Sequence, residues 1–276
     1  MPTWFITGCS TGLGRALATA VLDSGLNAVV TARDPDSVAD IAAAHPNHAL
    51  ALALDVTDHE QITTAVAAAQ ERFGGIDVLV NNAGYGYRAA VEEGDLDDVR
   101  RLFDTHFFGV VELIKAVLPG MRAQRSGAIV NISSIGARRS PAGSGYYAAV
   151  KAAQEAMTAS LRKEVAPLGI TAMVVEPGGF RTDFAGRSLA GPSAPAIDDY
   201  ADTAGPRRKE NDTVHGTQPG DPDKAAAAIL EVVQSPEPPF MLVLGPDALQ
   251  GFREALDALR ADLDAWEATS AATDLD

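Results

Sequence analysis

One cysteine, Cys9, stands among 276 residues, so neither an intrachain disulfide nor a cysteine-based metal site can form. Basic residues are scarce: 22 Lys and Arg against 37 Asp and Glu leave a formal net charge of −15. That balance argues against nucleic acid or an anionic membrane surface as partner, since both attract clustered cations. No apolar run approaches the roughly 20 residues of a membrane span. The opening Met1-Pro2-Thr3-Trp4-Phe5-Ile6-Thr7 has neither the basic nor the long apolar region of an export signal. The expectation is a chain neither exported nor anchored, compatible with a reducing cytoplasm. His45, His48, His59 and His215 show no ligand spacing, and the Asp-rich stretches read as solvated helix faces, so no catalytic metal is expected.

What the chain does have is apolar content, 46% of its residues, enough for one substantial core and a single domain over residues 1–276. Short apolar runs alternate with Ala-rich helical stretches. Strands are predicted at Trp4–Thr7, Ala28–Ala32, Ala49–Val56, Ile76–Val80, Ala128–Ile132, Ile170–Glu176 and Phe240–Leu244. Helices are predicted at Leu13–Leu22, Val38–Ala44, Ile62–Phe73, a long region from Leu96 to about Gln124, about Tyr146–Ala166 and about Asp223–Gln234. A last amphipathic helix begins near Ala248 and frays after Trp266, leaving 267–276 as a tail. This alternation predicts an α/β fold: a doubly wound parallel sheet covered by helices on both faces. Residues 185–222 are too polar and too rich in Gly and Pro for a core element and read as a lid or an exposed insertion.

The first strand runs into Thr7-Gly8-Cys9-Ser10-Thr11-Gly12-Leu13-Gly14, which opens a helix. Glycine lets such a turn take unusual dihedrals without a Cβ in the way, and unpaired helical N–H groups favour a phosphate. Glycine also serves any tight turn; it is the strand–turn–helix setting that points to a dinucleotide. The second strand ends in Ala32-Arg33, with no carboxylate for a ribose 2′-hydroxyl and a guanidinium able to pair a 2′-phosphate. NADP(H) is therefore expected over NAD(H), the competing reading being that Arg33 is an ordinary solvated residue at a strand end. Asp55-Val56 and Asn81-Asn82-Ala83-Gly84 follow the third and fourth strands, where open α/β sheets bind ligands, although these are also common turn formers.

Tyr147 and Lys151 lie four residues apart on one face of a predicted helix. A phenol titrates near 10 in water, so acting as acid or base near neutrality requires stabilising its anion, which a nearby ammonium does. Ser134, 13 residues before Tyr147, follows the fifth strand and brings a hydroxyl to the same edge. Ser133 and Tyr146 are adjacent rivals for the two roles.

Thr7-Gly8-x-x-x-Gly12-x-Gly14, Asn81-Asn82-Ala83-Gly84, Ser134, Tyr147-x-x-x-Lys151 and Pro177-Gly178 occur in an order and spacing that closely resembles the short-chain dehydrogenase/reductase family, over about residues 3–245. The resemblance implies a Rossmann-type sheet of about seven strands and an NADP-preferring oxidoreductase. It implies Tyr147 as acid/base, Lys151 on the nicotinamide ribose and Ser134 at the reacting oxygen. By position, Gly8, Ser10, Thr11, Gly12, Leu13 and Gly14 would serve the pyrophosphate, Asp55 and Val56 the adenine, and Asn82, Ala83 and Gly84 the ribose region. Pro177, Gly178 and Thr182 would flank the nicotinamide. The chain departs from the pattern at His106, where many members carry an Asn that helps hold a relay water. His106 is either part of an altered relay or a tolerated helix residue.

The implied function is a carbonyl reductase or alcohol dehydrogenase acting on a ketone, aldehyde or secondary alcohol. Phe184, Leu189, Ile197 and Tyr200 offer a greasy roof, and Arg138, Arg139, Arg181 and Arg187 offer partners for an anionic substrate. The pattern resembles a branch whose members often act on lipophilic molecules. A homodimer or homotetramer through the helices near Leu102–Val117 and Tyr147–Leu161 is expected from similar proteins. A dinucleotide sensor or scaffold on the same fold is the alternative from another class, and sugar-nucleotide epimerase chemistry is disfavoured by the glycine spacing and length.

Overall fold

The computed structural model describes residues 1–186, 188–192, 195–214 and 216–275. Arg187 and His215, named above, lie outside them. The strands are β1 (Thr3–Ile6), β2 (Asn27–Ala32), β3 (Ala49–Ala53), β4 (Val78–Asn81), β5 (Gly86–Tyr87), β6 (Gly127–Ile132), β7 (Ile170–Pro177), β8 (Leu189–Ala190) and β9 (Met241–Leu244). Seven of them form one parallel sheet in the order β3-β2-β1-β4-β6-β7-β9, while β5 and β8 pair apart from it. The order reverses between β1 and β4, which opens a crevice at the carboxyl ends of those strands.

Alternation along each strand builds two cores. Trp4 and Ile6 of β1 face one side with Val30, Val80, Val130 and Val175, while Phe5 between them faces the other with Val29, Leu79 and Ile129. Helices α1 (Gly12–Asp23) and α9 (Pro222–Val233) cover the first side through Leu17, Val21 and Ile229. Helices α3 (His59–Phe73), α5 (Gly109–Gln124) and α7 (Gly145–Val165) cover the second through Ile62, Leu113, Val117 and Leu161. Residues apolar on both faces give the unbroken runs seen in the sequence, as expected for a buried parallel sheet. Helix starts follow capping chemistry: Asp58 accepts from the Glu60 and Gln61 amides of α3, and Asp221, followed by Pro222, caps α9. The remaining helices are α2 (Ala39–Ala44), α4 (Leu96–Phe103), α6 (Gly136–Arg139), α8 (Gly205–Val214) and α10 (Pro246–Ala271).

One expectation, the fraying of the last helix, needs correction, and two others gain detail. The long helical region from Leu96 to about Gln124 is α4 and α5 joined by a π-helical turn at Asp104–Phe108, which widens the helix where His106 enters the interior. The 185–222 segment carries regular structure: β8, a 3₁₀ turn at Asp198–Tyr200 and α8. The last helix does not fray at Trp266 but continues to Ala271. Among the described residues, no helix is long and apolar enough to cross a membrane.

Candidate active site

The turn between β1 and α1 is held from the neighbouring strand. Thr7 Oγ1 accepts from the Asn82 and Ala83 amides, both at 2.9 Å, and the Asn82 side-chain amide donates to the Thr7 and Gly8 carbonyls at 2.8 and 3.1 Å. Gly8 sits at φ 71°, and a Cβ there would meet Ala83 Cα at 2.8 Å. At Gly14 a Cβ would lie 2.3 Å from Asn82 Nδ2. This close packing seats the start of α1 at the crevice, whose wall includes Gly12 and Leu13.

A cavity of about 1130 Å³ runs along the carboxyl ends of the strands. Of the site residues named from the sequence, Gly8, Ser10, Thr11, Gly12, Leu13, Arg33, Asp55, Val56, Asn82, Ala83, Gly84, His106, Ser134, Tyr147, Lys151, Pro177, Gly178 and Thr182 line it. Gly14 does not; it is buried behind the turn and acts by letting Asn82 approach. Arg33 is exposed at the end of β2. Asp55 Oδ1 accepts from the Thr57 amide and hydroxyl at 2.9 and 2.7 Å, which fixes the loop after β3.

At the other end, α7 presents Tyr147 and Lys151 on one face, with Lys151 Nζ 5.9 Å from the tyrosine ring centre. Lys151 Nζ donates to the Ile132 carbonyl at 2.6 Å, which ties it to the end of β6. Ser134, two residues on, accepts from the Gly136 amide at 3.0 Å and stands beside the phenol. Burial pushes the Tyr147 phenol up to about 12, against the Ser134 hydrogen bond and the charge of Arg207. Burial likewise lowers the Lys151 ammonium to about 7, with Glu155 opposing. In the protein alone, desolvation therefore outweighs the help that the lysine was expected to give the phenolate.

His106 is 1% exposed, its ring edge-on to Tyr147 at 5.8 Å. Its Nε2 lies 2.8 Å from the Tyr85 carbonyl oxygen and 3.0 Å from the Tyr85 amide nitrogen, while the buried Nδ1 has no hydrogen-bond partner among the described residues. Burial first, and the Lys151 charge second, hold the imidazole well below its ordinary value, so it is neutral. The ring occupies the space beside Gly84, where a Cβ would lie 2.3 Å from His106 Cε1.

Of the substrate-side residues, Phe184 and Leu189 line the cavity, and Phe184 packs on the Tyr147 ring at 5.8 Å. Ile197 and Tyr200 are not part of its wall: the Ile197 amide donates to Glu93 and the Tyr200 hydroxyl to Glu92. Arg139 lines the cavity, but Arg138 turns to Glu155 and Glu176, and Arg181 donates to the Gln218 carbonyl. Sequence reasoning missed Arg207, a half-buried wall residue whose charge reaches the phenol; its helix, α8, is too polar to signal a buried role. Among the described residues, no group of three or more His, Cys, Asp or Glu side chains is placed to hold a metal.

The residues present fit a dinucleotide. Gly8, Ser10, Thr11, Gly12 and Leu13 of the glycine turn line the cavity, a Cβ at Gly12 would lie 3.1 Å from Thr182, and Thr11 places no side-chain cap on the amides that open α1. A profile of the family described as short chain dehydrogenase matches residues 2–192. The chain is 40% identical over 271 residues to oxidoreductase BOA17 of Botryotinia fuckeliana, covering 98% of each. It is 35% identical to a 3-ketodihydrosphingosine reductase of Bacteroides thetaiotaomicron, covering 87% of each. A solved short-chain dehydrogenase from Streptomyces avermitilis superposes with a TM-score of 0.92 at 43% identity, covering 99% of this chain and 98% of that one. The chain belongs to the short-chain dehydrogenase/reductase family, and is thus an oxidoreductase of a family that binds nicotinamide dinucleotides.

Proposed function

We propose that this protein is an NADP(H)-dependent carbonyl reductase or alcohol dehydrogenase acting on a ketone, aldehyde or secondary alcohol of lipophilic character. The observation that carries this reading is the convergence of Ser134, Tyr147 and Lys151 on one cavity that also contains the glycine turn. Gly8, Ser10, Thr11, Gly12 and Leu13 hold the pyrophosphate, Arg33 the 2′-phosphate, Asp55 and Val56 the adenine, and Asn82, Ala83, Gly84 and Lys151 the ribose hydroxyls. Pro177, Gly178 and Thr182 border the nicotinamide. When bound, the dinucleotide supplies or accepts the hydride and, in its oxidised form, a positive charge.

The protein's own residues manage the oxygen. Ser134 donates a hydrogen bond to the substrate oxygen, and Tyr147 gives it a proton during reduction or takes one during oxidation. Lys151 sets the charge beside the phenol. His106, neutral and with Nδ1 unpaired, supports an altered proton relay where many members use an asparagine.

The absence of a carboxylate at Ala32 and the exposure of Arg33 support NADP(H). Phe184 and Leu189, together with the lipid ketone named for the Bacteroides relative, support a lipophilic substrate. A homodimer or homotetramer is supported by apolar surface: Phe108 is 53% exposed, and Leu249, Leu256, Leu259, Leu263 and Trp266 form a stripe along α10. Burial pushes the Cys9 thiol up to about 12, which keeps it protonated and unreactive.

The test is titration with NADPH and NADH followed by turnover on a panel of long-chain ketones and aldehydes. Binding with turnover is expected; tight binding with none across the panel would favour a sensor. Arg33→Ala should weaken NADPH about tenfold or more and leave NADH nearly unchanged, given the strength of charge-assisted phosphate contacts. An unchanged preference would remove its role.

A further inference from the structure

Ser133 occupies the position between two residues of the site. On one side Ile132 offers its carbonyl to Lys151 Nζ, and on the other Ser134 stands beside Tyr147. The Ser133 hydroxyl donates to Oε1 of Glu155, one helical turn beyond Lys151 on α7. Arg138 Nη2 donates to the other Glu155 oxygen, and its Nε donates to Glu176 Oε1 at 3.2 Å. The two carboxylates are 4% and 0% exposed, while Arg138 reaches in from the surface and carries the Phe252 ring of α10 over its guanidinium at 5.5 Å.

Two acidic side chains this deep are poorly explained by stability, because removing charges from water costs about as much as pairing them returns. Their positions explain them better. Glu155 lies on the helix that carries Tyr147 and Lys151, Ser133 in the loop that carries Ser134, and Glu176 near the end of the next strand. We propose that Glu155 is a positioning residue, clamping the end of β6 to α7 through Ser133 so that the Ser134 hydroxyl and the Ile132 carbonyl are held against Tyr147 and Lys151. This rests on the reading of Ser134, Tyr147 and Lys151 as the reacting centre.

The charged groups facing Glu155 are Lys151 on its own helix, Arg138 from α6 and Glu176 from β7. Burial, and then the Glu155 charge, raise Glu176 above the usual carboxylate range against the pull of Arg138, so the cluster takes up a proton more readily than free carboxylates do.

The test compares Ser133→Ala, Glu155→Ala and Glu155→Gln for kcat and KM over pH 6–9 on a carbonyl that the wild type reduces, with dinucleotide affinity followed by fluorescence. Ser133→Ala and Glu155→Ala should lose kcat by about 10- to 100-fold, the scale set by misplacing a reacting group by an ångström. Dinucleotide affinity should fall much less than kcat, because the glycine turn is untouched and only the Lys151 contact to the ribose is disturbed. Glu155→Gln keeps an acceptor for Ser133 and should recover most of the loss near neutrality. Wild-type kcat in both alanine variants would overturn the clamp, as would a glutamine variant as poor as the alanine one. Should Glu155→Ala not fold, Ser133→Ala, which removes one hydroxyl, decides the matter. If the wild type binds dinucleotide but turns over nothing, it is the parent reading that fails. A crystal structure of Ser133→Ala then decides the clamp: displaced Ser134 supports it, and an unmoved Ser134 overturns it.

Discussion

Tyr147 and His106 touch edge-on at the floor of the cavity, and burial holds both neutral. A protonated phenol is the form that gives a proton to a carbonyl oxygen. Reduction should therefore run well at and below neutrality, and oxidation should rise with pH as the phenolate becomes accessible. Tyr147→Phe removes the transferable proton and nothing else of size, so turnover should fall by about 10² to 10⁴, with dinucleotide binding kept. Activity near that of the wild type would refute the acid/base role. His106 makes a separate prediction through stability. Its folded-state proton affinity is depressed, so below the ordinary value of 6.5 the unfolded chain binds more protons, and stability falls as pH falls. The loss is read between pH 8 and pH 5. In His106→Asn that part of the acid-side loss should vanish in denaturant titrations at the two pH values. A variant that loses as much as the wild type between pH 8 and pH 5 would count against a buried neutral imidazole.

Among the elements, those with local signals were legible and those made by distant charges were not. Thr7 to Gly14 joins a strand to a helix within eight residues, and its spacing foretold both the turn and the cavity edge it lines. Tyr147 and Lys151 were readable for the same reason, a four-residue spacing on one helix. The π turn at Asp104–Phe108 shifts the hydrogen-bond register without altering the apolar pattern, so it left no trace in the sequence. Glu155, Glu176 and Arg138 come from three elements, and each taken singly passes for a solvated charge. The segment around α8 shows the same difficulty. Arg208 reaches Glu93, which is 7% exposed and also accepts from the Ala90 and Ile197 amides at 2.9 and 2.8 Å. One buried carboxylate thus pins both α8 and the chain before it to the body. Glu93→Ala should free this segment, so that trypsin cuts at Arg207, Arg208 and Lys209 several times faster while the global unfolding temperature falls by only a few degrees. Unchanged cleavage at those three residues, read by mass spectrometry, would show that the segment is held by something else.

The sheet carries a core on each face, and the last helix of the molecule projects beyond both. Ala248 and Gly251 of α10 are buried, and Phe252 lies over Arg138, yet from Glu254 to Leu275 every residue but Ala255 is exposed. Leu256, Leu259, Leu263 and Trp266 follow a 3-4-3 spacing on this projecting part, and each is more than half exposed. Within one protomer these side chains contribute little burial, so a chain ending at Ala255 gives up almost none of the core. Its unfolding free energy in dilute denaturant titrations should match that of the full chain within about 0.5 kcal/mol, the usual range for surface changes. Dinucleotide affinity should also be kept, because the glycine turn and α7 lie on elements that the cut does not reach. At higher protein concentration, where the proposed oligomer forms, the full chain should gain stability that the shortened chain lacks, since only association makes stability depend on concentration, and a full chain without that gain would count against the stripe as the contact.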